Sequence, residues 1–215
     1  MKRGDGWGQV MILYGRDLSP FARRLAIFCA LQGHEIERRA LLVQGEDFET
    51  LKRMNPVGRI PVLELDDGTV LCDTYAIADW LDETSPAGTR MLPASGAARR
   101  DALQRLAVAN GAAEKTVALV YDRNRRPERF HWKEWQERLA AQIQGGLKSM
   151  DSAVPETGWS GRDGPDAGDI AAAIAYQMVE ITNAWVLEPG YARLAAFTDR
   201  AMAEIPAFAE TKPSM

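Results

Sequence analysis

Asn55-Pro56-Val57-Gly58-Arg59-Ile60-Pro61-Val62-Leu63 is the stretch whose reading decides the fold. Its first four residues are a turn cluster, because Asn, Pro and Gly each favour chain reversal for a different steric reason. Its last residues open an apolar strand, Ile60 to Leu65. A proline at the start of a strand suits an edge strand.

Outward from that turn, strand and helix signals alternate. Val10-Met11-Ile12-Leu13-Tyr14 reads as a buried strand. Ser19 then stands at a helix N-cap, with Pro20 at the favoured first position and Leu25, Phe28, Cys29 and Leu31 at helical spacing up to Gln32. Gly33 suits the C-terminal cap. Ile36 to Val43 reads as a second strand with Ile36, Arg38, Ala40 and Leu42 on one face, and Asp47 to Met54 as a short helix. After the Asn55 turn, Asp66-Asp67-Gly68 predicts a hairpin into Thr69 to Cys72. Asp73 or Thr74 caps a helix carrying Ile77, Ala78, Trp80 and Leu81. The order β-α-β-α-β-β-α predicts a mixed four-stranded sheet with helices against it, a thioredoxin-like α/β domain over residues 10–84.

Composition changes at Ser85-Pro86-Ala87-Gly88, and residues 85–95 read as a linker. Residues 96–215 then read as an all-helical domain. Its long first helix is expected to bury Leu103, Leu106, Ala107, Asn110, Ala113, Val117 and Tyr121. Arg123 to Arg129 is expected to be a solvated loop. Trp132, Trp135, Leu139, Ile143, Leu147 and Met150 follow as an amphipathic stripe, expected in the core. Asp166-Ala-Gly-Asp169 resembles a capping box ahead of a helix that is apolar nearly all round.

The bulk numbers narrow the function. A 215-residue chain that is 46% hydrophobic and 26% charged can bury a real core. A net charge of -4 draws the chain neither to nucleic acid nor to acidic membranes. Residues 1–9, with three glycines and no apolar run, read as a flexible tail rather than a signal peptide, and no apolar run is expected to span a membrane. Two cysteines and two histidines make no disulfide framework and no metal site, which suits a reducing cytoplasm.

Taken in order, Ser19-Pro20-Phe21, the Asn55–Leu63 motif and Asp73-Thr74-Tyr75-Ala76-Ile77, followed by an all-α half, resemble the glutathione transferase superfamily from about Val10 onward. The helical half resembles YibF-type bacterial members in Leu106 to Gly111, Val120 to Arg123 with Arg126-Pro127-Glu128, and Phe208 to Thr211. The resemblance implies a cytoplasmic homodimer with glutathione as co-substrate, no metal, and no nucleic-acid or membrane partner. It implies a cis bond at Ile60-Pro61, with the Ile60 backbone pairing the cysteinyl part of glutathione. It places the γ-glutamyl group at Asp73 and Thr74, the thiol at Ser19 beside Phe21, and the glycyl carboxylate near Arg59. The family's usual Glu-Ser pair is Asp73-Thr74 here, one methylene shorter.

Ser19 is the expected catalytic residue. A free thiol has a pKa near ~8.5, and a hydroxyl donated to the thiolate at the positive end of a helix lowers it. Serine here, where omega-like relatives carry cysteine, favours conjugation over disulfide exchange. Ala109, Ala113, Val117 and Tyr121 are the expected electrophile pocket, between the two domains. The alternatives are a non-catalytic binding or regulatory protein, or another glutathione-dependent enzyme such as a peroxidase, isomerase or dehalogenase.

Overall fold

A computed structural model describes residues 10–188 and 190–213. The expected tail at 1–9 lies outside them. Two units emerge from the contacts, one running to Thr89 and the other from Arg90 to Lys212.

In the first unit, β1 (Met11–Tyr14) pairs in parallel with β2 (Ile36–Arg39) and antiparallel with β3 (Val62–Glu64), which pairs antiparallel with β4 (Val70–Leu71). The sheet order is β2-β1-β3-β4. The helices are α1 (Pro20–Gln32), α2 (Gly45–Met54) and α3 (Thr74–Thr84), so the β-α-β-α-β-β-α order is observed.

Register explains which residues reach the core. Tyr14 lies opposite Val62, and both pack with Leu51 of α2 on one face. Leu13 lies opposite Leu63 on the other face, which carries α1 and α3. α1 ends as the sequence predicts: Gly33 sits at φ 79° and its N–H bonds the Ala30 carbonyl at 3.3 Å.

The second strand is shorter than expected and its inward face is corrected. It stops at Arg39, after which Leu41 and Val43, not Leu42, turn onto the Tyr14–Leu51–Val62 cluster. Arg38 and Ala40 are exposed, Arg38 pairing with Asp17. On this edge strand only one side of the ladder is bonded, so burial follows the loop rather than strict alternation.

The second unit holds α4 (Gly96–Arg125), α5 (Lys133–Ala153), α6 (Ala167–Asn183), α7 (Ala192–Glu204) and α8 (Pro206–Glu210). α4 packs on both α5 and α6, and α6 also meets α7. Burial on two sides changes the expected stripe. Ala102, Leu106, Ala109, Asn110, Ala112, Ala113, Thr116 and Leu119 are buried, whereas Leu103, Ala107 and Tyr121 are exposed. α4 also runs through Arg125, past the start of the expected loop.

On α5, Leu139, Ile143, Leu147 and Met150 are buried as expected, but Trp132 and Trp135 are not, with 60% and 37% of their surface exposed. The stripe continues two turns beyond its cover. α6 starts at the expected capping box: Asp166 accepts from the Gly168 and Asp169 N–H groups, and Asp169 returns a bond from the Asp166 N–H at 3.2 Å. Contrary to the expectation from the sequence, one segment among the described residues, Ala167–Leu187, is long and apolar enough to cross a membrane, with a mean hydropathy of 1.3. Its burial against α4 and α7 accounts for that composition.

Candidate functional site

Three chain segments of the first unit carry the candidate residues. The first is the β1–α1 turn. Ser19 caps α1 in an extended conformation, φ -77° and ψ 116°, its Oγ accepting from the Ala22 N–H at 3.3 Å. Its own N–H donates to the Arg16 carbonyl at 2.9 Å. The hydroxyl proton finds no acceptor among the described residues, so an anion placed at this helix start meets an O–H donor and the Phe21 N–H together. Ser19 and Phe21 are half-buried.

The turn is fixed by tight packing. Gly15 donates to the Arg39 carbonyl at 3.0 Å, and a Cβ on it would lie 2.4 Å from that of Ala22. No side chain fits there, so α1 sits directly on the loop.

The second segment is the Asn55–Pro61 turn. Asn55 is buried, donates from Nδ2 to the Arg59 carbonyl at 2.9 Å, and accepts at Oδ1 from the Val57 N–H at 3.0 Å. The Ile60–Pro61 bond is cis, as the resemblance implied, and Pro61 is buried. The Ile60 N–H and C=O make no hydrogen bond among the described residues, which leaves one peptide unit open to a strand-like partner. The Arg59 side chain is exposed.

The third is the β4–α3 turn. Asp73 caps α3, accepting at Oδ1 from the Tyr75 N–H at 3.1 Å. Its other oxygen has no hydrogen bond among the described residues. Asp73 is exposed, while Thr74 beside it is 5% exposed. Its hydroxyl has no partner among the described residues.

Arg23 and Arg24 lie one turn into α1 and are both buried. Burial lowers each guanidinium to about 10, so both stay charged at neutral pH. Asp17 acts on Arg23, and Tyr75 and Asp73 act on Arg24, in each case against that lowering. Two other groups are excluded from the chemistry. Tyr14 donates to Glu64 at 2.9 Å, and its hydroxyl pKa is raised, first by burial and then by that carboxylate. Cys29 is fully buried and its thiol is pushed up to about 12.

Residues 13–89 match the family model described as the glutathione S-transferase N-terminal domain. The fold of the whole chain matches solved structures of bacterial glutathione S-transferases. One from Methylobacillus flagellatus, solved with glutathione bound, is 26% identical, with a TM-score of 0.85 over 95% of this chain and 100% of that one. The chain is built on the glutathione S-transferase fold, and residues 13–89 are similar to the family's N-terminal domain. A Methylobacterium radiotolerans glutathione S-transferase in complex with glutathione sulfonate is 25% identical, with a TM-score of 0.86 over 95% of each chain. A Pseudomonas fluorescens family member with bound glutathione is 23% identical, with a TM-score of 0.84 over 95% of this chain and 100% of that one. A sequence search of curated proteins found no match.

Within this fold, Ser19, Phe21, Arg59, Ile60, Pro61, Asp73 and Thr74 all belong to the first unit. The expected electrophile residues lie on α4 of the second, where Ala109 and Ala113 are buried, Val117 is half-buried and Tyr121 is exposed. The described residues hold no cluster of three metal-ligating side chains.

The sequence reading missed Asn55 as the staple of its turn, and the buried Arg23–Arg24 pair. The signal for Asn55 was its place before Pro-x-Gly, where a side-chain amide can stand in for backbone partners. For the arginines the signal was helical spacing. Arg24 stands four residues from Pro20 and Phe28, both buried.

Proposed function

We propose that this chain is a glutathione transferase in which Ser19 activates the glutathione thiol for attack on a small electrophile. The observation that carries the reading is the Ser19 hydroxyl, anchored as an acceptor from Ala22 and with its proton unclaimed.

Each part of glutathione has a complement. The open peptide unit at Ile60 suits the cysteinyl backbone, as an added strand. The Asp73 carboxylate suits the γ-glutamyl ammonium through a charge-assisted bond. The amides at the start of α3 and the Thr74 hydroxyl suit the γ-glutamyl carboxylate. Arg59, exposed at the turn, suits the glycyl carboxylate, and Phe21 flanks the thiol end.

The chemistry needs no base of high pKa. Serine stays protonated and donates its O–H to the thiolate, while the start of α1 adds a positive dipole and Arg23 and Arg24 a positive field. The thiol proton leaves to solvent. The sulfur then forms a bond to the electrophilic carbon, as a leaving group departs or as a double bond takes the electron pair. Each unit of thiol pKa lowered in this way corresponds to ~1.4 kcal/mol of preference for the thiolate.

The test is retention on immobilised glutathione combined with turnover of a chloronitroaromatic electrophile. Retention with turnover supports the reading. Retention without turnover across several electrophile classes rejects the catalytic part, and no retention rejects the binding site itself.

A further inference from the structure

The exposed tryptophans of α5 are not isolated. Where α4 stops and α5 begins, Phe130, Trp132 and Trp135 have 57%, 60% and 37% of their surface exposed, and Trp185, at the end of α6, has 48%. Cross-links hold these pieces at one end of the helical unit. The Gln136 side chain donates to Asp122 at 2.8 Å, and Arg126 pairs with the same carboxylate at 3.2 Å. The His131 ring lies 2.9 Å from the Arg126 carbonyl. Arg123 donates to Asn183 at 3.3 Å, which ties in the end of α6.

Cations lie over two of these rings. The Arg129 guanidinium is 4.7 Å from the centre of the Phe130 ring, and that of Arg123 is 5.6 Å from the Trp185 ring. Between residues 122 and 133 there are five Arg and Lys and only two acids, in a chain of net charge -4. One of those acids, Asp122, is buried and already bonded.

We infer that this arginine–tryptophan end of the helical unit is a docking surface for an acidic segment of a partner protein. Exposed Trp and Arg are the residues that dominate binding energy at protein interfaces. The arginines there carry the planar fork of N–H donors that takes a carboxylate with two bonds. Trp132 and Trp135 add apolar area beside those forks, so the matching chemistry is carboxylates interleaved with apolar side chains.

Charge and geometry select this occupant over two others. Single-stranded nucleic acid needs open ring faces for stacking, and guanidinium groups already occupy two of them. The chain's net negative charge also opposes a polyanion at long range. A second copy meeting this surface with its own would place like charges opposite each other.

The experiment titrates the full chain against a fluorescein-labelled peptide of alternating Glu and Leu, read by anisotropy. A Lys-for-Glu peptide and a labelled oligo-dT serve as controls. Binding of the acidic peptide is expected to weaken by about tenfold or more in Trp132→Ala and in Arg129→Glu, and to weaken with added salt. Both positions are exposed, and circular dichroism checks that each variant keeps its helices. Three results overturn the inference. One is no anisotropy change up to about 1 mM protein, the limit of weak binding. Another is equal affinity in the variants, and the third is tighter binding of oligo-dT. Self-association abolished by Trp132→Ala overturns it as well, by giving the surface to a second copy.

Discussion

The side-chain amide of Asn55 bridges its own turn to Arg59, donating to that carbonyl at 2.9 Å from a site only 3% exposed. The same side chain receives the Val57 N–H, and the Asn55 carbonyl receives that of Gly58 at 2.7 Å. One residue thus shapes the chain that presents Ile60. Asn55→Ala leaves the Arg59 carbonyl and the Val57 N–H, both on exposed residues, without these partners, an expected loss of about 0.5–1.5 kcal/mol per bond. Urea denaturation measures that loss, and retention on glutathione resin is expected to fall with it. Unchanged stability would mean that the turn holds without its staple.

Ser19→Ala separates cap from chemistry. Losing the Oγ bond to Ala22 costs about 0.5–2 kcal/mol of stability. Glutathione affinity is expected to change little, because the peptide unit at Ile60 and the α3 cap are untouched. The pKa of the bound thiol is expected to rise, read as thiolate absorbance against pH. The rate at pH 6.5 falls accordingly, and an unchanged rate there would remove Ser19 from the mechanism.

Ser19→Cys asks which reaction the position selects. A thiolate at the start of α1 is itself stabilised and attacks disulfides. Conjugation is expected to fall, and exchange with a glutathione mixed disulfide to appear. A variant with no gain in exchange would show that residue 19 does not face the sulfur.

How much of this was legible in the sequence depends on how local each cause was. The α1 boundaries, the Gly33 cap, the Asp73 cap and the Asp166 capping box are set by neighbours within four residues. For α4 the cause is distant. Two partners, α5 and α6, bury two sides of a helix rich in alanine, so a single stripe held at Leu106, Asn110 and Ala113 but missed at Leu103, Ala107 and Tyr121. Trp132 continues the α5 stripe by spacing, but α4 ends before covering it. Arg23 and Arg24 look like surface cations because composition alone assigns arginine to solvent. Their burial follows from the packing of α1 against α3 and the sheet.

Gly58→Ala tests the turn from its other side. Gly58 sits at φ 66°, and an added Cβ would lie 2.5 Å from Cε2 of the Phe48 ring on α2. The left-handed backbone alone disfavours alanine by about 1–2 kcal/mol, and the ring must also move. A clearly lowered thermal midpoint is expected. An unchanged midpoint would show that α2 yields without cost.

Asp166 gives a pH test whose sign follows from burial. Burial, then the neighbouring Asp169 carboxylate, raises its pKa, while Arg105 and the cap amides act the other way without prevailing. A carboxyl raised on folding binds its proton more tightly in the folded state. Its contribution is therefore full below the unfolded value, near 3.8, and is lost as pH rises through the folded value. Asp166→Asn keeps a capping oxygen and removes the titration. Stability of the native chain, measured relative to this variant by urea denaturation, is expected to decline from about pH 4 upward and then level off above the folded pKa. Carboxylates remote from residue 166 cancel in the difference. Asp166→Ala, by contrast, loses the cap at every pH, by about 1–2 kcal/mol. A native-to-Asn difference that grows with pH would mean that the Arg105 pair outweighs burial.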